Sequence, residues 1–203
     1  MTRVLYLHGF ASGPSSSKAR FFRERIPHLE IPDLAEGDFE NLTITGQLRV
    51  IECAARGEPV ALIGSSMGGY LAALFASRHA EVTRVVLLAP AFGFARRWAE
   101  RLGPGEVARW RETGRMEVFH YADNRPRQLG HQLLDDGAQY DDYPDFSQPA
   151  LIFHGAHDDV VPAAYSQEFA ANHPNARLEV LDSGHELLNV LDYIGGRVLG
   201  FVS

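Results

Sequence analysis

Two adjacent hydroxyls stand in "ALIGSSMGGYLAALFA" (residues 61–76), between an apolar run that reads as a buried strand and an Ala/Leu-rich run that reads as a helix. A serine lifted above a sheet on such a strand-to-helix turn can act as a nucleophile, its backbone forced toward positive φ and the chain on either side crowded. Crowding demands small residues two positions before and two after. Around Ser66 these are Gly64 and Gly68; around Ser65 they are Ile63 and Met67, which are too bulky. Ser66 is therefore the expected nucleophile and Gly64 and Gly68 the expected elbow glycines, with Gly69 letting the next helix pack close to the strand. The competing reading is a glycine-rich turn in which Ser66 caps the helix.

A serine hydroxyl needs a base to take its proton and an acid to orient that base. Of nine histidines, His185 in "LDSGHELL" follows the last predicted strand, where an imidazole could reach the strand ends. His79 and His173 read as solvated or dipole-compensating residues near helix C-termini, and His120 and His131 as structural or substrate-facing. For the acid, "FHGAHDDVVP" offers Asp158 and Asp159; composition does not choose between them, and either could cap a turn. Asp182 competes from the loop before His185 but reads as solvated. The developing oxyanion needs preorganised donors. The Met67 N–H, opening a helix, is one; the Phe10 N–H, in the "HGFASG" loop after the first strand, is the other.

Positioning these groups requires a rigid frame, and the chain predicts one. Strands are expected at 3–8, 28–34, 59–64, 84–90, 149–155 and 176–182, and helices at 15–26, 43–56, 67–78, 162–173 and 186–201. The strands are nearly continuous in apolarity, as when helices cover both faces. Their alternation with helices predicts an α/β fold with a doubly wound, mostly parallel sheet, whose ligands bind beyond the carboxyl ends of the strands. Residues 92–147 break the rhythm with Arg, aromatics, Gly and Pro. They are expected to form a small lid-like insertion holding two or three short helices and a short strand near 117–121, within one domain spanning 1–203.

The 203 residues carry a formal charge of −7, which argues against a nucleic-acid or anionic-membrane partner. The apolar run at the N-terminus is too short for a signal peptide, and no window approaches the roughly 18 apolar residues of a membrane span. Asn41-Leu42-Thr43 matches a glycosylation acceptor by chance. Cys53 is the sole cysteine, so an intrachain disulfide and a Cys-based metal cluster are both excluded and a reduced, cytoplasmic location fits best. The oligomeric state is not legible.

With strand-HGF, GSSMGG, HGAHDDVVP and SGH in that order, the sequence resembles the α/β-hydrolase superfamily, and within it the small serine esterase branch of YqiA/YcfP-like and ABHD10-like proteins. The resemblance runs from Arg3 to about Val202. "YLHGFASGPSSSKARFF" and "GSSMGGYLA" are its most specific parts, and "RPRQLGHQLLDDGAQY" adds a weaker one. It implies a reduced α/β-hydrolase fold of about six or seven parallel strands without the usual antiparallel edge hairpin. It also implies that the acid is the first aspartate of HG-x-x-D-x-V-V-P, Asp158.

The implied reaction is hydrolysis of a small-molecule ester or thioester through an acyl intermediate on Ser66, with no metal or organic cofactor. Other chemistry on the same three residues, such as C–C bond or peptide hydrolysis, and a non-catalytic binding role are the alternatives. Phe92, Phe94, Trp98, Trp110 and Met116 are candidates to line an acyl pocket, or else they anchor short helices to the sheet. Eight arginines between 92 and 127 could attract a substrate carboxylate or phosphate, although nearby Glu100, Glu106, Glu112, Glu117 and Asp123 favour a salt-bridged surface.

Overall fold

The computed structural model describes residues 3–202. In chain order the elements are β1 (Arg3–Leu7), α1 (Ser17–Arg23), α2 (Ile44–Ala55), β2 (Val60–Ser65), α3 (Met67–Ala76), β3 (Val82–Leu88) and α4 (Phe94–Thr113). They continue with β4 (Arg115–His120), β5 (Arg125–Gly130), α5 (Gln132–Gly137), β6 (Ala150–Gly155), α6 (Ala164–Asn172), β7 (Ala176–Leu181) and α7 (Leu191–Val202). Short 3-10 turns cover Phe39–Asn41 and Leu188–Val190.

The central sheet has five parallel strands in the order β1-β2-β3-β6-β7. Every residue of β2 and β6 is buried, which is why these strands read as unbroken apolar runs. Alternate side chains feed two cores. Leu5, Leu62, Val85, Leu87 and Ile152 pack with residues of α2, α3 and α6 on one face. Val4, Tyr6, Ile63, Val86 and Phe153 pack with residues of α1 and α7 on the other. All ten residues of α3 are buried, as an all-apolar helix requires.

The strand count differs from the six or seven expected. The segment at 28–34 contributes a single parallel bridge, Leu5 to Glu30, instead of a strand. Pro27 and Pro32 bracket it and cannot donate to a ladder, and His28 between them turns the chain at φ 63°.

Between β3 and β6 the chain forms α4, the antiparallel β4–β5 hairpin and α5. The span α4 is two short helices that meet at a non-helical break at Gly103 (φ 80°, ψ 160°), ahead of Pro104, which has no N–H to continue the ladder; with α5 they are the short helices expected of the insertion. The hairpin tip is tied to the loop after β1, since Tyr121 N–H donates to Ala11 O at 2.8 Å.

Candidate active site

Ser66 stands between β2 and α3 with φ 55° and ψ −117°, a strained conformation for a residue with a side chain. The bend is pinned by its own backbone. Ser66 N–H donates to Leu88 O at the end of β3, and Ser66 O accepts from the Gly69, Tyr70 and Ala91 N–H groups. A Cβ on Gly64 would run into the carbonyl of Gly68, and one on Gly68 into the carbonyls of Leu7 and His8. These two positions admit glycine alone, for the steric reason read from the sequence. Ser66 occupies the N-cap position of α3 but makes no capping bond with its side chain, which removes the capping reading. Its Oγ lies instead 3.1 Å from His185 Nε2.

His185 sits in the loop after β7, where Gly155 lets the chain cross close by: a Cβ there would strike the Ser183 and Gly184 carbonyls. Its other ring nitrogen, Nδ1, is 2.7 Å from Asp158 Oδ2. A carboxylate only accepts, so Nδ1 carries the proton and a neutral imidazole presents the Nε2 lone pair to Ser66. The structure thus brings Ser66, His185 and Asp158 into one hydrogen-bonded chain. Asp159 is exposed, and Asp182 is exposed and bonded to His157.

Asp158 follows β6 with its side chain out of solvent. Its Oδ1 accepts from the Val160 and Val161 N–H groups at 2.9 and 2.7 Å, an Asx-type turn that fixes the carboxylate plane. Burial by itself would raise its pKa. Hydrogen bonds from His154, His185 and the Val161 N–H outweigh burial and hold the carboxyl well below the usual carboxylate range.

His154, which sequence reasoning passed over, completes this environment. It is fully buried, with Nε2 at 2.7 Å from Val161 O and 3.1 Å from Asp158 Oδ2, and Nδ1 at 2.8 Å from Ser166 Oγ. Both neighbours of Nε2 are acceptors, so Nε2 carries a proton shared between them. The available signal was a histidine inside the otherwise apolar strand "ALIFHG", since a buried imidazole needs partners.

The loop after β1 lies against the elbow: a Cβ built on Gly9 would sit 3.4 Å from Ser66 Cβ. His8 holds this loop, with Nδ1 3.1 Å from Gly9 O and Nε2 accepting the Leu34 N–H at 3.1 Å. Burial lowers its pKa, which matches the neutral form that pairing requires. The Met67 N–H, first in α3, has no acceptor within its own helix and sits at the positive end of the helix dipole. Phe10 lines the cavity beside Ser66.

That cavity holds about 930 Å³, the size of a small-molecule site. Phe10, Phe94, Trp98, Val118 and Phe119 form its apolar wall. Phe92 and Trp110, expected there with Phe94 and Trp98, are elsewhere. Phe92 stacks on Phe169 in the core, and Trp110 is buried with its indole N–H on Leu129 O. Met116 likewise packs against the core. The lone histidines resolve as structural. His120 and His131 are buried beside Phe39 and Trp110. His79 and His173 stack on Phe75 and Phe169 one turn earlier, with His173 buried and not solvated.

Opposite the apolar wall, Lys18 is buried, its Nζ donating to Glu186 O at 2.9 Å and lying 3.4 Å from Glu186 Oε2. Burial lowers its pKa and Glu186 opposes that shift. Among the described residues, no group of three or more His, Cys, Asp or Glu could hold a metal ion, and no helix is long and apolar enough to cross a membrane.

The model of the family described as "Uncharacterised protein family (UPF0227)" matches residues 3–202. No curated protein matches the sequence. Among solved structures, Est1E from Butyrivibrio proteoclasticus with ferulic acid bound is similar at TM-score 0.81 and 19% identity, over 99% of this chain and 88% of that one. Alpha/beta hydrolase domain-containing protein 10 from mouse is similar at TM-score 0.81 and 16% identity, over 98% and 89%. The Pyrococcus furiosus esterase Pf2001 follows at TM-score 0.70 and 16% identity, over 98% and 81%. At these identities the likeness carries the fold.

Proposed function

Starting from a chain that belongs to the UPF0227 family and has the α/β-hydrolase fold, we propose that it is a serine hydrolase cleaving carboxylic esters or thioesters through an acyl-enzyme. The observation that carries this reading is the unbroken line Ser66 Oγ, His185, Asp158, at 3.1 and 2.7 Å, opening into a cavity. Ser66 Oγ attacks the substrate carbonyl as His185 Nε2 takes its proton; the carbonyl π-electrons move to oxygen, where the Met67 and Phe10 N–H groups face the charge. The tetrahedral intermediate collapses, and His185 returns the proton to the departing alcohol or thiol. Water then repeats the sequence on the acyl carbon, with His185 again as base, and frees the acid. Asp158 stays ionised and stabilises the imidazolium. The esterase Pf2001 and the ferulic acid bound to Est1E support ester chemistry by their kinship of fold.

A fluorophosphonate probe, with the adduct located by mass spectrometry, tests the assignment. Labelling at Ser66, with loss of both labelling and p-nitrophenyl butyrate hydrolysis in a folded Ser66→Ala variant, is the expected result. Undiminished hydrolysis by that variant overturns it.

A further inference from the structure

The first half of α4 turns one face to the cavity, and that face carries Phe94, Arg97, Trp98 and Arg101, spaced as i, i+3, i+4 and i+7. Aromatic and cation alternate along it. The other three arginines of α4 are paired: Arg96 with Asp142 and Glu100, Arg109 with Glu106 and Arg111 with Asp135. The two that face the cavity have no carboxylate partner among the described residues. Arg97 donates to the carbonyls of Phe92 and Val160 at 3.3 Å and lies over the Tyr165 ring at 4.3 Å, so its guanidinium is held in place without being neutralised. The Arg101 side chain makes no hydrogen bond or ion pair among the described residues, and across the cavity neither does that of Arg20.

Glu186 is the single carboxylate among the described residues lining this space, and Lys18 already pairs with it. A chain with net charge −7 therefore surrounds its cavity with uncompensated positive charge. Arg97 and Arg101 are one turn apart, about 6 Å along the axis, and repel one another until an anion comes between them. An apolar substrate alone would leave that repulsion in place and strip water from the guanidinium groups.

We propose that the substrate of the hydrolase described above carries a carboxylate, separated from the scissile carbonyl by a short apolar segment that lies along Phe94 and Trp98 while Arg97 and Arg101 hold the anion. Arginine suits this task because its planar fork binds a carboxylate through two hydrogen bonds.

The test uses two pairs of esters matched in length. Mono-p-nitrophenyl glutarate against p-nitrophenyl valerate places the carboxylate on the acyl side; 4-butyryloxybenzoate against its methyl ester places it on the alcohol side. In one pair, at low ionic strength, the charged member is expected to have kcat/KM about tenfold higher, carried by KM, as one or two charge-assisted hydrogen bonds would give. That ratio should fall toward unity in Arg101→Gln and in the double variant with Arg97→Gln, and should shrink as salt is added. Equal or lower kcat/KM for the charged member in both pairs, or a preference that survives both variants, overturns the proposal. If the fluorophosphonate labels Ser66 and only neutral esters turn over, the hydrolase reading stands and this one fails; if Ser66 is unlabelled and no ester turns over, both fail.

Discussion

Replacing Asp158 by asparagine tests the site through a single oxygen. Four donors surround the carboxylate: the Val160 and Val161 N–H groups on Oδ1, and His185 Nδ1 and His154 Nε2 on Oδ2. Asparagine can accept at one of these positions only. Two backbone amides that cannot move away claim its carbonyl oxygen, which leaves the NH2 at the Oδ2 site. A donor now faces His185 Nδ1, so the ring must accept there and carry its proton on Nε2, pointed at Ser66. In that tautomer the base has no lone pair for the hydroxyl, and an Asp→Asn exchange of this kind lowers kcat about 10⁴-fold. The same NH2 confronts the His154 Nε2–H, which Val161 O holds in place, and this unsatisfied contact costs about 1–3 kcal/mol of stability. Initial rates with p-nitrophenyl butyrate, alongside urea unfolding, report both quantities. A folded Asp158→Asn variant that keeps kcat within tenfold of the wild type refutes the reasoning, because the tautomer argument allows no such residue of activity.

Three further outcomes follow from the geometry. His154→Phe removes partners from Ser166, Val161 and Asp158 together, so the urea midpoint should fall by the equivalent of about 2–4 kcal/mol and kcat should fall with it; an unchanged midpoint counts against the network. Burial lowers the pKa of His8, so the unfolded chain takes the proton before the folded one does. Its contribution to stability is whole above about pH 6.5 and is lost on acidification, by at most about 1.4 kcal/mol per pH unit, and the slope of unfolding free energy between pH 7.5 and 5.5 should flatten in His8→Asn. Gly68→Ala drives a methyl into two carbonyls and should cost about 3 kcal/mol or more, whereas Gly105→Ala, with open space around it in a helix, should be neutral or stabilising by about 0.5–1 kcal/mol, as differential scanning calorimetry would show.

What could be read in the chain beforehand was what is local. The elbow was legible because its steric demand falls within five residues, and the strands that carry it are uniformly apolar. Asp158 and Asp159 are the same residue type side by side; they part only because the turn after β6 aims the first at two amides and His185 and leaves the second in solvent. The aromatics divide for a similar reason. Phe94 and Trp98 share a helical face, Phe92 precedes the helix and packs inward, and Trp110 lies beyond the break at Gly103, which turns the helix toward β5. β5 itself was hidden, since "RPRQLG" holds a proline and two arginines and shows no alternation of apolar and polar residues. Nearby carboxylates rightly indicated a salt-bridged surface for Arg96, Arg109, Arg111 and Arg127, whereas the lack of a carboxylate at Arg97 and Arg101 depends on which face of α4 meets the cavity, a tertiary fact.

The strand order has a consequence for how this molecule can change. β7 lies three places from β2, so roughly 14 Å of sheet separates the strand that delivers the imidazole from the strand that ends at the hydroxyl. The segment 182–187 works as a cantilever over β6 and β3. It is anchored where His157 N–H meets Ser183 O and where Asn189 joins both Ser183 and the Asp182 carbonyl. Its reach has to match three strand spacings of the sheet. Adding or removing one residue in that arm would part the His185 ring from Ser66 Oγ without altering any of the three side chains in the hydrogen-bonded chain, while turns at the opposite rim of the sheet remain free to lengthen.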